Sequence, residues 1–163
     1  MPPSQASDRP IVLSVVDRLL DFSPREKNVE EPVTRAQSVR QHKEAVRRDL
    51  EWLLNTRRTA DVDVAYGKVR ESVYFYGLPD FSALSLTSAQ DQQKLLRAVQ
   101  DALNVFEPRL SGVQVIPLKL EGINTNTLHF RIEGLLRMDP APEQVFFDTS
   151  LELSRGEYEV KEL

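Results

Sequence analysis

The chain has 163 residues, of which 40% are hydrophobic and 28% are charged, and this composition is typical of one soluble globular domain. A net charge of −4 excludes a general attraction to nucleic acid or to anionic lipid, so neither is expected as a partner. The lack of cysteine excludes a disulfide framework and thiolate chemistry, and it agrees with a reducing cytoplasm.

The N-terminal part is predicted to hold one short helix between two irregular stretches. Residues 1–10 are polar and Pro-rich, without a secretion signal, and are predicted to be a disordered leader. Residues 11–22 carry apolar side chains at helical spacing, and residues 23–34 are predicted to be a mobile connection because they contain Pro24 and Pro32. So short a helix must pack on something, either its own domain or a partner, and the sequence leaves both alternatives open.

Two long helices are predicted in the middle of the chain. The first spans residues 35–55, with Asn55 expected to end it in left-handed geometry. The second begins at a Thr87–Gln90 capping box and ends at Phe106. The aromatic segment between them, residues 72–81, is predicted to be a lid over the core with a tight turn at Gly77.

Strand patterns follow the second helix. Residues 112–121 place Ile116, Leu118 and Leu120 on one face, and Pro117 indicates an edge strand or a bulge. Residues 127–138 and 144–153 alternate clearly, and residues 158–160 allow a short fourth strand. The sequence therefore predicts an α+β fold, an antiparallel sheet of three to four strands packed against two long helices, with an additional short N-terminal helix.

A charged corner, Glu107-Pro108-Arg109, joins the second helix to the first strand. Proline disfavours helical geometry for the preceding residue, so Glu107 is expected just beyond the helix end. A carboxylate there meets the negative end of the helix dipole, at a cost of about 0.3–1 kcal/mol when exposed. Arg109 or a cation from another chain would offset that cost.

Several short motifs occur in a characteristic order along the chain. They are Val16-Asp17-Arg18-Leu19, Asn55-Thr56-Arg57, Tyr76 to Phe81, Glu107-Pro108-Arg109 and Phe147-Asp148-Thr149. In this order the chain resembles the TssE family over roughly residues 11–160. TssE proteins are baseplate wedge proteins of type VI secretion systems and are similar to the small wedge subunit of contractile phage tails.

The resemblance implies a function without catalysis. It implies a single wedge-type domain over residues 11–163, contacts with the wedge subunits TssF, TssG and TssK, and initiation of the sheath made of TssB and TssC. It also implies a cytoplasmic location at the inner face of the bacterial inner membrane. The residues that it marks for partner binding are Glu107, Pro108, Arg109 and Arg57. We expect Arg109→Ala to leave a folded monomer that assembles poorly, and we expect sheet edges to offer backbone groups to a partner strand.

Other functions receive less support from the sequence. No phosphate loop, nucleophile elbow or zinc-binding His pair is present, so no catalytic, cofactor-binding or metal-binding residue is predicted. A lysozyme-like peptidoglycan hydrolase would need two suitably spaced carboxyl groups, and the pattern pairs none of Glu107, Glu121, Glu133 and Asp148. A regulatory anti-adaptor of the same fold is the remaining alternative.

Overall fold

The computed structural model describes residues 10–12, 14–19, 34–58, 67–118, 127–152 and 155–163. The predicted leader, apart from Pro10, and the predicted connection, apart from Thr34, lie outside these ranges. The helices are α1 (Val15–Leu19), α2 (Arg35–Asn55), α3 (Gly67–Arg70) and α4 (Ala89–Phe106), with a 3-10 turn at Val73–Phe75. The strands are β1 (Leu110–Leu118), β2 (Thr127–Leu136), β3 (Glu143–Glu152) and β4 (Glu157–Glu162). No helix within these ranges combines the length and apolar character needed to span a membrane.

The long helices begin at hydrogen-bonded caps. Thr34 forms a capping box with Gln37 at the start of α2, because each side chain accepts a hydrogen bond from the other residue's backbone N–H. The predicted capping box at Thr87–Gln90 was wrong: the cap of α4 is Ser88, whose side chain accepts from the N–H of Asp91, while the N–H of Ser88 donates to the carbonyl of Ser85.

The predicted left-handed termination at Asn55 was wrong. Asn55 is the last residue of α2, the cap that follows is an extended Thr56, and the described non-glycine residues include none with positive φ. The physical reason lies in the Asn55 side chain, which hydrogen-bonds to the backbone of Tyr158 in β4, 103 residues further along the chain. Asn55 therefore makes a tertiary contact and does not form a left-handed turn.

The four strands form one antiparallel sheet in the order β1-β2-β3-β4. The fold class is therefore confirmed: α2 packs against β4, α4 packs against β1, and the chain is α+β. The core lies between this helical layer and one face of the sheet. Its largest fully buried side chains include Leu50, Leu53 and Leu54 of α2, Leu95 and Leu103 of α4, and Phe130, Ile132 and Phe147 of the sheet.

Strand β1 is an edge strand, as Pro117 predicted. Its register with β2 shifts between Ser111 and Gln114, at a bulge that contains Gly112 with φ +63°. Beyond the bulge, Val115 lies opposite the buried Ile132, so it faces the helices. The face that carries Ile116 and Leu118 is consequently the face turned away from them.

Two shorter segments refine the predictions. The short helix begins at Val15 rather than at residue 11, because Ser14 caps it through the N–H of Asp17. Apolar side chains of this segment, including Val12 and Leu19, are exposed. In the aromatic segment, Phe75 and Leu78 are buried, as expected for a lid, while Tyr74 is exposed.

Candidate functional site

The corner after α4 is built around a buried carboxylate. Glu107 is only 4% exposed, and its backbone N–H still donates to the carbonyl of Leu103, so it closes the last turn of the helix. Arg109 folds back over it: Nε donates to Glu107 Oε1 at 2.7 Å and Nη2 donates to Oε2 at 2.5 Å. This two-point pairing supplies the cation that the helix end was predicted to need.

The pair extends into a chain of alternating charges across three elements. Arg109 Nη2 also donates to Asp49 Oδ2 of α2 at 2.7 Å. The other Asp49 oxygen accepts from Arg48 Nη2 at 2.8 Å, and the same Arg48 nitrogen donates to Asp17 Oδ1 of α1 at 2.7 Å. Three carboxylates thus alternate with two guanidinium groups, and α1, α2 and the corner are connected through them.

These contacts shift the titration of several groups. Burial opposes the charged form of Arg109, but the hydrogen bonds and charge of Glu107, followed by those of Asp49, raise its pKa. Burial likewise acts against the carboxylate of Asp17, yet hydrogen bonds from Ser14 and Arg48 lower its pKa. The guanidinium of Arg109 and the carboxylate of Asp17 are therefore held charged at neutral pH.

The pKa values of two neighbouring side chains, His42 and Tyr76, are shifted by burial and by these charges. Burial, followed by the positive charge of Arg109, lowers the pKa of His42 on α2. Burial, followed by the negative charges of Asp49 and Glu107, raises the pKa of Tyr76. Both side chains consequently stay neutral beside the charge chain.

An open groove of about 370 Å³ runs along the corner. We call it the corner groove. Its walls combine apolar and aromatic side chains with the charged corner; they are Val16, Trp52, Leu53, Tyr76, Phe106 and Pro108 together with Ser14, Asp49, Glu107 and Arg109. Trp52 is 51% exposed, with the Arg48 guanidinium 4.8 Å from its ring centroid. The groove therefore offers a large aromatic surface next to an oriented arginine.

Three of the four residues marked for partner binding, Glu107, Pro108 and Arg109, line this groove, and Arg57 does not. The exposed Arg57 guanidinium lies 3.9 Å from Asp80. A Cβ atom at Gly156, in the β3–β4 turn, would be only 2.3 Å from Arg57 Nη2. Arg57 thus belongs to a different part of the surface, beside a small cavity of about 60 Å³ that Tyr158 also lines.

Three other residues of the family motifs, Asn55, Phe147 and Asp148, make contacts within the fold. Asn55 contacts the backbone of Tyr158, and Phe147 is fully buried in the core. Asp148 pairs with Arg131 at 2.6 Å and 3.1 Å on the sheet face turned away from the helices. Asn55 thus joins α2 to β4, and Asp148 links β3 to β2 through Arg131. None of the three residues lines the corner groove.

The sequence reasoning missed Asp49, Trp52 and Tyr76 as members of the site. A signal for Asp49 was present: it lies on the flank of the α2 apolar stripe, three residues after Val46 and four before Leu53. An acidic residue at a half-buried helical position requires a cation, and this requirement could have pointed to Arg109.

The arrangement suits binding better than catalysis. Glu107 is buried and both of its oxygens accept hydrogen bonds from Arg109, so the carboxylate is held as the partner of a cation and not as the protonated group that a general acid needs. Within the described ranges, no three His, Asp or Glu side chains cluster as metal ligands.

Comparison with known proteins adds one finding. Residues 40–141 match the family model described as baseplate wedge protein gp25. A search of curated proteins and a search of solved structures each return no match. The matched range contains α2 from residue 40 onward, α4, β1, β2 and the whole corner.

Proposed function

Because the chain belongs to the family of the baseplate wedge protein gp25, we propose that it is a wedge subunit of a type VI secretion baseplate that binds its neighbours through the corner groove. The family consists of structural baseplate proteins, and such subunits act by contacting one another. We propose TssF, TssG and TssK as the neighbours and the sheath proteins TssB and TssC as the structure that this subunit initiates. Assembly would take place in the cytoplasm at the inner face of the bacterial inner membrane.

The observation that carries the proposal is the preorganised Arg109. Glu107 and Asp49 occupy its Nε and Nη2 groups, and no described residue accepts a hydrogen bond from Nη1. The side chain is 22% exposed. A partner carboxylate or carbonyl would therefore meet an arginine that has already lost its rotamer freedom, which reduces the entropic cost of binding.

The aromatic wall of the corner groove supports the same reading. Residues that dominate binding energy at protein interfaces are enriched in Trp, Tyr and Arg. Trp52, Tyr76 and Arg109 stand together here, and Trp52 is half exposed. The alternative of a peptidoglycan hydrolase receives no comparable support, since the carboxylates of the corner are bound to arginine.

The test is capture of co-expressed TssF and TssG by tagged variants of this protein. Trp52→Ala removes the exposed groove wall, and we expect capture to weaken by about thirtyfold, as for the truncation of a central interface residue. Tyr74→Ala is the matched control, because Tyr74 is also an exposed aromatic residue at 61% but does not line the groove.

Thermal melting of both variants checks that each is folded. Equal capture by Trp52→Ala and by the unchanged protein would refute the groove as the binding site. Equal losses in both variants would point to a nonspecific effect of losing an exposed ring and would also count against it.

A further inference from the structure

Part of the corner groove is made by α1, a helix too short to be stable by itself. Ser14, which caps α1, and Val16 line the groove together with residues of α2 and the corner. No described residue of α1 is buried, and Val15 and Leu19 are 69% and 79% exposed. The docking of α1 at these described positions therefore depends on its polar contacts.

Two described hydrogen bonds join residues 11–19 to α2. The backbone N–H of Ile11 donates to Ser38 Oγ at 2.9 Å, and Arg48 Nη2 donates to Asp17 Oδ1 at 2.7 Å. The Asp17 side chain is only 6% exposed and that of Arg48 is 19% exposed. An ion pair that is shielded from water is screened less by salt than an exposed pair, so the Asp17–Arg48 contact is the stronger of the two links.

The guanidinium group that holds α1 also contacts the aromatic wall of the groove. Arg48 Cζ lies 4.8 Å from the ring centroid of Trp52, which is four residues further along the same helix face. Arg48 Nε and Nη2 donate to Asp49 Oδ1 at 3.0 Å and 2.8 Å, and Asp49 Oδ2 accepts from Arg109. Arg48 thus contacts both an aromatic ring and a carboxylate that line the groove.

Asp17 is the contact that orients this guanidinium group from outside α2. Arg48 and Asp49 are adjacent, and adjacent residues of a helix do not face each other, so their pairing requires a guanidinium group that is turned toward the corner. Among the described residues, Asp17 is the only hydrogen-bond acceptor for Arg48 that lies outside α2. Asp17 does not line the groove, so it acts on the groove through Arg48 and through the position of α1.

We propose that Asp17 and Arg48 are positioning residues of the corner groove. Asp17 docks α1 and orients Arg48, and Arg48 in turn orients Trp52 and Asp49. The inference rests on the proposed function and deepens it, because it states what sets the shape of the binding surface. A wedge neighbour in the groove contacts α1 and α2 together, so binding of the neighbour and docking of α1 stabilise each other.

Fluorescence of the isolated protein tests the positioning, because Trp52 is the only tryptophan of the chain. Asp17→Asn removes the charge and keeps the shape of the side chain. We expect acrylamide to quench Trp52 up to about twofold more strongly in this variant, because the ring is 51% exposed in the native protein and loses the guanidinium group that covers it. Asp17→Glu keeps the charge and should restore quenching close to that of the unchanged protein.

Glu44→Gln is the matched control. It also removes a carboxylate that pairs with an arginine of α2, since Glu44 is 2.7 Å from Arg47, but neither residue lines the corner groove. Thermal melting of each variant checks that it is folded. Equal quenching of Asp17→Asn and the unchanged protein, or an equal rise in Glu44→Gln, would overturn the inference.

Capture of co-expressed TssF and TssG separates this inference from the proposed function. Capture should fall about tenfold for Asp17→Asn and should stay unchanged for Glu44→Gln. If Trp52→Ala loses capture while Asp17→Asn changes neither quenching nor capture, the groove stands as the binding site and the positioning role fails. If Asp17→Asn changes quenching but neither it nor Trp52→Ala alters capture, Asp17 positions the groove and the proposed binding site fails.

Discussion

Removal of Arg109 tests the energetic basis of the corner. In Arg109→Ala the carboxylate of Glu107, which is 4% exposed in the native protein, loses its cation, and Asp49 loses one as well. Breaking a buried ion pair by removing one partner costs about 3–5 kcal/mol. Because Arg109 and Asp49 are 22% and 25% exposed, water screens part of the loss, and we expect the low end, about 3 kcal/mol.

A loss of this size is measurable by thermal or urea unfolding. For a chain of this length, about 3 kcal/mol corresponds to a fall in Tm of about 6–12 °C. The monomer should remain folded at 25 °C, as the sequence predicts, but with lower stability. The assembly defect of this variant must therefore be measured well below its Tm.

Two companion variants isolate the cause. Glu107→Gln combined with Arg109→Ala removes the uncompensated charge, so the double variant should recover about 1 kcal/mol or more relative to Arg109→Ala. Arg57→Ala is the control, since that side chain is exposed and its ion pair with Asp80 is 3.9 Å long, and it should change stability by less than about 0.5 kcal/mol. An unchanged Tm for Arg109→Ala, or a double variant less stable than the single one, would refute the reasoning.

Two further predictions concern the backbone and pH. Gly77→Ala should lower the free energy of unfolding, measured with urea. Backbone strain at φ +101° alone costs about 1–3 kcal/mol, and the new Cβ would add a clash, since it would be 2.3 Å from the Thr56 carbonyl oxygen. Gly67→Ala, which meets nothing within 4 Å, should be nearly neutral, and equal effects of the two would contradict the explanation. In the folded protein the pKa of His42 lies below its ordinary value of 6.5. As the pH falls below 6.5, His42 therefore binds a proton in the unfolded chain before it does so in the folded protein, and the free energy of unfolding should decline. In His42→Gln the free energy of unfolding should depend less steeply on pH below 6.5. An unchanged slope would show that His42 does not cause this pH dependence.

Much of the fold could be read from local pattern. Periodic patterns of a few residues predicted the bounds of α2, the end of α4 and the alternation of β2 and β3, and the structure agrees with all of them. Proline chemistry likewise placed Pro117 on an edge and Glu107 at a helix end. The Glu107–Arg109 pair is also local, since the two residues are two positions apart.

The remaining features of the corner and of the contact between α2 and β4 depended on tertiary structure. Asp49 reaches Arg109 across 60 positions and Asn55 reaches Tyr158 across 103, and no local period encodes which of several similar side chains will meet. Packing of α2 against the sheet decides both contacts, because it fixes the depth and rotation of the helix. The sequence by itself thus determined the elements and the charged corner. Only the packed structure decided that Glu107 is buried, that Arg57 lies elsewhere and that Asn55 contacts β4.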